Sequence, residues 1–446
     1  MSVCAFDFDD IRKEDPFRDL GSNVNPITWP SVHVGHCVLS WNKYLIVFGG
    51  FTTIFSRNAG FEGVDDSRYH STRRLWFYDV ESCEWILEDT YGESPPSLSS
   101  AACAIVNDCI YVFCGYSKAN YYNEKAYRLD LLTKIWRRVF PCCDQLLYPI
   151  TEPHPSGRDK LSSFVHQGSI YLFGGYGSVP SFSSELYGHY IMDSDREALM
   201  DLKAWFSCLV KFSVETNHFS LVPTKGEQPP PRAACAGCKL GDTFYIFGGR
   251  LSNDRMKDFY SLDMKTFTWS RIWRRIDDHE WPNGRSWAVL SPIGQLSQNL
   301  LLQGGLDSSG NTLSDFWVYN IPSRKWKELT SLKARQFWHA GSTIKDSVYL
   351  FGGFKHANVH SRYEVSSSEL MKVSITPNTL HSLAAESIAT FIVASHENYE
   401  NDTRWNLLNE FLMPKDITFI QKTAKRLFYL KCHNAKQAFS TPPSSA

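Results

Sequence analysis

The sequence predicts an all-β fold, a ring of six four-stranded blades, followed by a C-terminal α-helical segment. Three observations predict it: a repeated strand that ends in glycine, a later strand pair that ends in a large aromatic residue, and a tail with helical spacing. The repeated strands are YLIVFGG (44–50), IYVFCG (110–115), IYLFGG (170–175), FYIFGG (244–249), LLLQGG (300–305) and VYLFGG (348–353). One such unit cannot bury its own faces, so the units must stack on one another. The sequence therefore predicts a six-bladed β-propeller over residues 31–375.

Each of the first five units also carries a late aromatic residue. These residues are Trp85, Trp136, Phe219, Trp269 and Trp326. We expect their rings to fill the gaps between successive blades. The glycine pair is expected to let the second strand turn beside its neighbours, because a Cβ would clash there. The segment before residue 45 is expected to help close the ring, and residues 1–30 are expected to be partly disordered.

Composition excludes some classes of partner. The chain has 446 residues, with 46 basic and 47 acidic side chains, so no broad footprint for nucleic acid or membrane is expected. No apolar run is long enough to span a bilayer, and the N-terminus MSVCAFDFDD lacks a signal pattern. We therefore expect a soluble protein of the cytoplasm and nucleus.

The cysteines do not indicate a metal or redox site. Most of the twelve lie in apolar strand-like runs, where they are read as small buried hydrophobic residues. Cys235 and Cys238 form one CxxC motif, but no second pair at zinc-finger spacing accompanies it. No metal and no cofactor are predicted.

The blades are unevenly spaced, because a long insertion follows Tyr176. Its sequence is SVPSFSSELYGHYIMDSDREALMDLKAW. Long insertions on a rigid scaffold often carry binding function. After Ile375 the strand signals stop, and apolar residues at spacings of three and four predict helices within 376–432. Residues 433–446 are expected to be disordered. From spacing alone, the helical segment either braces the propeller or docks on a partner protein.

Two short motifs in the tail favour docking. TLHSLAAESI resembles the BC-box, the helix by which substrate receptors bind elongin C, and LMPKDI is similar to a cullin-2 box. The matching positions are Thr379, Leu380, Ala384 and Ile388 in the first motif, and Met413, Pro414 and Ile417 in the second. Ala384 replaces the usual cysteine, and the gap between the two motifs is longer than usual. Both motifs follow six repeat units in the order that receptors use.

The whole chain, from about residue 30 to 430, resembles the kelch-repeat substrate receptors of cullin–elongin ubiquitin ligases, the family of kelch domain-containing protein 2. The likeness is densest in PPPRAACAG, FGGRLSNDRM, GRSWAVLSP, RQFWHAG and the tail. The resemblance implies a non-catalytic receptor that binds C-terminal degrons ending in glycine. It also implies elongin B/C and cullin-2, or cullin-5, with its RING subunit as partners.

The resemblance further implies a set of pocket residues. Arg250 and Arg255 would hold the terminal carboxylate of the degron, and Ser286 would complete the clamp. The walls would come from Trp287, Trp205, Trp338, Tyr176, Lys160 and Phe51, where Phe51 replaces the family's tyrosine and loses its hydroxyl. Paired guanidinium groups suit a carboxylate, and an internal peptide bond carries no such charge. A single loop arginine would more commonly pair with a nearby acid such as Asp254.

Two other classes of function remain as alternatives. An enzyme is disfavoured because the chain has no HExxH motif, no paired CxxC, no phosphate-binding glycine loop and no recognisable catalytic triad. His33, His36 and His339 lie near blade starts, where structural hydrogen bonds are expected. A non-catalytic scaffold is the second alternative, but it leaves the two arginines and the two tail motifs unexplained.

Overall fold

The computed structural model describes residues 2–6, 30–53, 68–119, 121–141, 154–179, 189–194, 202–275, 280–294, 298–358, 366–374, 388 and 420–421, which are called the described residues below. Within them, six antiparallel sheets form six blades, as the sequence predicts. In blades 1 to 5 the four main strands run from the inner to the outer strand in the order of the chain. The aligned first strands of neighbouring blades lie side by side, including those of blades 6 and 1, so the ring is closed.

The strands of the first three blades follow one another along the chain. Blade 1 contains Cys37–Trp41, Tyr44–Phe48, Arg74–Asp79 and Glu84–Asp89. Blade 2 contains Ala102–Val106, Cys109–Phe113, Ala126–Asp130 and Ile135–Phe140, with Tyr91–Gly92 added along its outer edge. Blade 3 contains Ser162–His166, Ser169–Phe173, Leu209–Ser213 and His218–Leu221.

Blades 4 and 5 repeat this arrangement, and blade 6 departs from it. Blade 4 contains Ala236–Leu240, Thr243–Phe247, Phe259–Asp263 and Thr268–Arg271, with Lys225–Gly226 along its outer edge. Blade 5 contains Val289–Ile293, Asn299–Gln303, Phe316–Asn320 and Lys325–Glu328. Blade 6 takes Ala340–Ile344, Ser347–Phe351 and Leu370–Ser374 from the end of the repeats and Ser2–Phe6 from the N-terminus.

The N-terminal strand closes the ring by joining the two ends of the repeat region. Ser2–Phe6 pairs antiparallel with Leu370–Ser374, so that Ser2 lies opposite Ser374 and Phe6 opposite Leu370. The expectation that the segment before residue 45 contributes to closure is confirmed. The propeller therefore begins at residue 2, within the segment 1–30 that was expected to be partly disordered.

Short strand pairs extend the blades at the end where the glycine pairs lie. They are Phe51–Thr52 with Arg68–Tyr69, Tyr116–Ser117 with Tyr121–Tyr122, and Arg250–Leu251 with Asp254–Arg255. At blade 3 the insertion supplies most of a four-stranded sheet, whose order is Arg158–Asp159, Tyr176–Ser178, Lys203–Phe206 and Tyr190–Met192. These elements surround one mouth of the propeller.

The glycine pairs connect each blade to the next. In every blade the second residue of the pair donates its backbone N–H to the following blade, and the six bonds are Gly50 to Leu98 O, Gly115 to Arg158 O, Gly175 to Arg232 O, Gly249 to Arg285 O, Gly305 to Gln336 O and Gly353 to His33 O, at 2.7–2.9 Å. The first residue of the pair needs a left-handed backbone close to the same carbonyl. Gly248 has a φ of +63°, and a Cβ there would lie 2.4 Å from the carbonyl oxygen of Arg285. The expected role of the glycine pair is confirmed.

The late aromatic residues fill the gaps between blades, as expected. Each ring contacts the phenylalanine that ends the second strand of the preceding blade. The pairs are Trp85–Phe351, Trp136–Phe48, Phe219–Phe113, Trp269–Phe173 and Trp326–Phe247, with ring centroids 5.2–5.8 Å apart. Burial of such rings is a large apolar contribution to stability.

The predicted tail motifs cannot be compared with the structure. Thr379, Leu380, Ala384, Met413, Pro414 and Ile417 lie outside the described residues. Ile388, Ile420 and Gln421 are described as helical positions, and Ile420 is buried. The helices of 376–432 therefore stay a prediction. Within the described part of the chain, no helix is long and apolar enough to cross a membrane.

Buried histidines collect where blade 6 meets blade 1. The ring of His33 stacks on that of His70 at 3.6 Å, and its Nδ1 contacts the carbonyl oxygen of Ser31, which confirms the expected structural hydrogen bond. For His339 that expectation is wrong, because neither of its ring nitrogens has a hydrogen-bond partner among the described residues, whereas hydrogen bonding to the backbone of Phe351 and His33 acts on the pKa of His36 against burial. Burial lowers the pKa of His36 and of His339 to about 3, and that of His70 to about 4.

From the lowered pKa values of these buried histidines we expect the protein to lose stability on acidification. An unfolded histidine titrates near pH 6.5, whereas His36, His339 and His70 stay neutral in the folded state until far lower pH. As the pH falls below about 6.5, the unfolded chain binds protons at these histidines and the folded protein does not, so the free energy of unfolding falls. Between about pH 7.5 and about pH 5.5 we expect a total loss of about 1.4 kcal/mol per histidine, measured by urea unfolding.

The variant His339→Leu removes one titrating group and should flatten this pH dependence. The control is His218→Leu at an exposed position, which should leave the pH dependence unchanged. If the free energy of unfolding depends on pH equally in the wild type and in His339→Leu, His339 does not contribute to the loss of stability on acidification.

Candidate functional site

A closed ring of backbone hydrogen bonds lies at the mouth of the propeller. One residue from the start of each blade donates its N–H to the carbonyl oxygen of the corresponding residue in a neighbouring blade. The bonds are Ser100 to Gly35, Lys160 to Ser100, Ala234 to Lys160, Trp287 to Ala234, Trp338 to Trp287 and Gly35 to Trp338, at 2.7–3.1 Å. We call these six residues the mouth ring. All have left-handed backbones, with φ between 51° and 63°.

A second layer of residues surrounds the mouth ring. In each blade the residue before the ring member forms a β-bridge with the residue that follows the glycine pair. The bridges are Val34–Phe51, Ser99–Tyr116, Asp159–Tyr176, Ala233–Arg250, Ser286–Leu306 and Phe337–Phe354. The structure thus brings all nine residues predicted for the pocket to one end of the propeller, either in these layers or paired to them. Their role in binding a degron stays a prediction.

Arg250 and Arg255 lie opposite each other on a two-stranded hairpin of blade 4. Within the described residues, neither guanidinium forms an ion pair with an acid. Arg250 Nε donates to the carbonyl oxygen of Ser252 at 2.6 Å and Arg255 Nη1 to that of Asn253 at 3.5 Å, whereas the buried Arg255 Nε has no partner among the described residues. The alternative of an Arg250–Asp254 pair is therefore not observed. Burial, and next the charge of Arg250, lower the pKa of Arg255 to about 10, with Asp307 acting in the opposite direction.

Ser286 precedes the mouth-ring residue Trp287, forms a β-bridge with Leu306 and is fully buried. Its hydroxyl has no hydrogen-bond partner in the described part of the chain, and the same is true of the indole N–H of Trp287. Unsatisfied buried polar groups each cost about 1–3 kcal/mol, so their concentration at one place needs a reason. Because no surface of Ser286 is exposed, a ligand can reach its hydroxyl only when a covering side chain moves.

Aromatic rings cover the mouth ring next to the arginines. Trp287 and Trp338 stack with centroids 5.1 Å apart, and the guanidinium of Arg255 lies 5.5 Å from the Trp287 ring centroid. Phe51 contacts the other side of Trp338 at 5.5 Å. Trp338 Nε1 donates to Ser100 Oγ at 3.0 Å, which fixes the orientation of the indole. These residues form an apolar floor beside two cations.

The insertion in blade 3 places Trp205 against Arg250. Trp205 lies opposite Tyr176 in the four-stranded sheet, and their ring centroids are 4.3 Å apart. The guanidinium of Arg250 lies 5.7 Å from the Trp205 ring centroid. The hydroxyl of Tyr176 donates to Asp193 Oδ2 at 2.6 Å, within the same insertion. The insertion thus lies next to the predicted pocket residues, and a binding function for it stays a prediction.

Lys160 differs from the two arginines because it has its own acid. Its ammonium forms an ion pair with Asp159 and lies 5.8 Å from the Trp338 ring centroid. Burial raises the pKa of the Asp159 carboxyl, against the opposing effect of Lys160. Sequence reasoning missed Asp159, although its position next to Lys160 was a possible signal. The uncompensated positive charge of the mouth therefore lies on the side of Arg250 and Arg255.

Comparison with known families agrees with the repeat geometry. The KLHDC2/KLHL20/DRC7 Kelch-repeats domain matches residues 35–272. The chain belongs to this kelch-repeat family. Kelch repeats form a protein-interaction module that is typically non-catalytic. The likeness to kelch domain-containing protein 2 and its relatives, inferred above from the motifs, is confirmed at this level.

The alignments with individual relatives cover most of this chain. Kelch domain-containing protein 1 of Homo sapiens is 34% identical over 330 residues, which is 72% of this chain and 75% of the relative. Kelch domain-containing protein 2 of Bos taurus is 28% identical over 91% of this chain and 95% of its own length. The solved structure of YjhT superposes with a TM-score of 0.55 at 14% identity, over 79% of this chain and 97% of its own, and so supports the fold.

Three other arginines of the kelch propeller are buried within the blades and have structural roles. Arg158, Arg232 and Arg285 are almost fully buried. Arg285 binds the carbonyl oxygen of Gly304 and both carboxylate oxygens of Asp315, and Arg232 does the same with Gly248 and Asp258. Sequence reasoning missed this set, whose signal is an arginine just before each of the first strands of blades 3, 4 and 5.

The geometry also excludes one class of site from the described residues. No group of three or more histidine, cysteine, aspartate or glutamate side chains is arranged there to hold a metal ion. Cys238 of the CxxC motif is buried in the inner strand of blade 4, and burial raises the pKa of Cys235 above its ordinary value.

The two kinds of arginine predict different effects on stability. Arg255→Met removes an unpaired, partly buried cation, so we expect the free energy of unfolding to change by less than about 1 kcal/mol. Arg285→Met, the matched control, leaves Asp315 without its partner and should cost about 3–5 kcal/mol. Urea unfolding of both variants measures the difference. A large loss for Arg255→Met would mean that Arg255 supports the fold.

Proposed function

We propose that this protein is the substrate-recognition subunit of a cullin-2–elongin B/C ubiquitin ligase and binds C-terminal degrons that end in glycine. The observation that carries the proposal is the pair Arg250 and Arg255, which face each other at the propeller mouth with no acid paired to either among the described residues. Two adjacent, partly buried cations repel each other and favour an anionic ligand.

A terminal carboxylate matches the chemistry of this site. It carries one negative charge and two oxygens, which guanidinium groups bind through charge-assisted hydrogen bonds. Arg255 Nε and Ser286 Oγ lack partners in the described structure, so a carboxylate could supply hydrogen-bonding capacity that the free protein does not satisfy. An internal peptide bond has no net charge, so the same site would distinguish chain ends from chain middles.

The aromatic floor supports a preference for glycine at the last position. Trp287 and Trp338 stack beside the arginines, and Trp205 lies against Arg250 on the other side. Rings this close to the cations leave little room for a Cβ on the terminal residue. Backbone groups of the mouth could bind the residues that precede the terminal glycine.

The role in a ligase rests on the tail motifs and on the family resemblance. The BC-box and the cullin box of residues 379–388 and 412–417 would bind elongin C and the cullin, which places a captured substrate near the ubiquitin-transfer machinery. Cullin-5 in place of cullin-2 is the narrower alternative. A kelch scaffold that captures proteins without a ligase is the broader one, and the two arginines would then bind a carboxylate for another purpose.

Peptide binding tests the carboxylate clamp. A fluorescent peptide that ends in Gly-Gly should bind the full-length protein, and its C-terminal amide should bind about 100-fold more weakly, because two charge-assisted contacts are lost. Arg250→Met and Arg255→Met should each weaken binding of the free acid by at least about tenfold. Fluorescence anisotropy measures all four affinities.

The control for these variants is Arg324→Met. Arg324 is an exposed arginine in the hairpin between the third and fourth strands of blade 5, so its loss should leave the affinity unchanged. Equal affinity for the free acid and the amide would refute the clamp. The peptide Gly-Ala, compared with Gly-Gly at the same length, separately tests the preference for glycine.

Truncation tests the proposed ligase role independently of the clamp. The full-length protein should co-purify with elongins B and C and a cullin, and a chain that ends at residue 375 should lose all three while keeping its affinity for the Gly-Gly peptide. Quantitative mass spectrometry of the purified complexes measures this and identifies the cullin. Retention of the elongins by the truncated chain would contradict the assignment of the BC-box.

A further inference from the structure

An exposed serine lies next to the proposed clamp on the loop of blade 5 that follows Gly305. Ser308 Oγ accepts a hydrogen bond from the backbone N–H of Arg255 at 3.0 Å. Ser308 and its neighbour Ser309 are both exposed. The turn that carries them is held by Asp307 Oδ1, which accepts hydrogen bonds from the N–H groups of Ser309 and Asn311.

The side chain of Arg255 faces the same blade. Its guanidinium lies over Trp287, at the start of blade 5, and the charge of Asp307 on the serine loop acts on it directly. Arg250 is its cross-strand partner, so a second guanidinium is adjacent. A group attached to Ser308 Oγ would therefore lie next to Arg255, whose guanidinium has no ion-pair partner among the described residues.

We propose that Ser308 is a phosphorylation site, and that its phosphate binds Arg255 and excludes an anionic ligand from the clamp. This regulation rests on the proposed function of the clamp as a carboxylate site. The kinase reaction transfers the γ-phosphoryl group of a nucleoside triphosphate to Ser308 Oγ. The Oγ–P bond forms, the bond between the β- and γ-phosphates breaks, the nucleoside diphosphate leaves, and the hydroxyl proton passes to a base of the kinase.

The charges at the site favour this outcome. A phosphoserine carries a charge of about −1.5 to −2 at neutral pH and three strong acceptor oxygens, and arginine pairs are its preferred partners. The carboxylates of Asp254 and Asp307 on the neighbouring turns repel a phosphate on Ser308. The backbone N–H of Arg255, which already binds Ser308 Oγ, is a hydrogen-bond donor at the same place. An arriving carboxylate would then meet a dianion in place of two free cations, and like charges at an interface strongly weaken binding.

Ser309 provides a matched control at the adjacent position. It is equally exposed, but its backbone N–H binds Asp307, and within the described residues its hydroxyl makes no hydrogen bond to the arginine hairpin. A phosphate on Ser309 adds the same charge one residue away from the contact with Arg255. The comparison separates occupation of the clamp from a general effect of negative charge on the loop.

The first experiment measures ligand affinity. Full-length protein with genetically encoded phosphoserine at position 308 should bind the Gly-Gly peptide at least about tenfold more weakly than unmodified protein, whereas phosphoserine at position 309 should change the affinity by less than about threefold. Thermal unfolding of each sample checks that both are folded. Equal affinities for the two phosphorylated proteins would overturn the proposal.

The second experiment does not depend on any peptide. Phosphorus NMR titration should show that the second pKa of phosphoserine 308 lies below that of phosphoserine 309, because an adjacent guanidinium stabilises the dianion. Arg255→Gln should return it to the value for position 309. If the peptide fails to bind unmodified protein but this shift is present, the proposed carboxylate function fails and the phosphate contact stands. If the shift is absent, the phosphate contact is refuted.

Discussion

The hydrogen bonds that pass from blade to blade at the mouth of the propeller are the constraint on which the site depends. One set joins the second residue of each glycine pair to the next blade, and the other closes the mouth ring of Gly35, Ser100, Lys160, Ala234, Trp287 and Trp338. Because both sets return to their starting blade, no blade can shift without breaking bonds on two sides. The residues that flank them are therefore held in fixed positions around one axis. Loops on such a scaffold can present functional side chains accurately.

The same geometry explains why one residue type has two roles in this protein. Arg232 and Arg285 lie inside the blades, where a carboxylate and a carbonyl oxygen satisfy them. Arg250 follows a glycine pair at the mouth, and Arg255 lies across the hairpin from it. Among the described residues no acid forms an ion pair with either guanidinium. Unpaired charge and unsatisfied donors reduce stability, and proteins commonly retain them where binding requires them.

Much of the fold could be predicted, because the information is local and repeated. The strand, the glycine pair and the late aromatic residue recur in each unit, so six blades and the contacts between them follow from periodicity and from size. The closing strand Ser2–Phe6 is different, since it lies far from Leu370–Ser374 in sequence and has no repeat around it. The sequence indicated only the region, before residue 45, from which closure would come.

The residues predicted for the candidate site lie at one end of the propeller, but their contacts could not be predicted, and their role stays a prediction. The resemblance named Arg250, Arg255 and Ser286, and the β-bridges bring them together. Full burial of Ser286, the unpartnered indole N–H of Trp287 and the ion pair between Lys160 and Asp159 depend on packing between blades, which no single segment specifies. The hydrogen bond expected for His339 is likewise not observed among the described residues, because burial on both sides of the junction of blades 6 and 1 could not be seen from either strand alone.

Burial of Ser286 under a rigid ring has a consequence for how the site would bind. The mouth ring cannot widen by moving one blade, because its hydrogen bonds are continuous, so access to the Ser286 hydroxyl would need side chains to rotate. Trp287, next to Ser286 in the chain, and Arg255, over the Trp287 ring, are the candidates. Both have room for this on the solvent side, since each is only partly buried. In the free protein the orphaned groups each cost about 1–3 kcal/mol, and a carboxylate that reaches them would recover part of that cost. A rigid backbone with adjustable side chains therefore favours a small, charged chain end over a bulky surface, because only the former can enter while the ring stays closed.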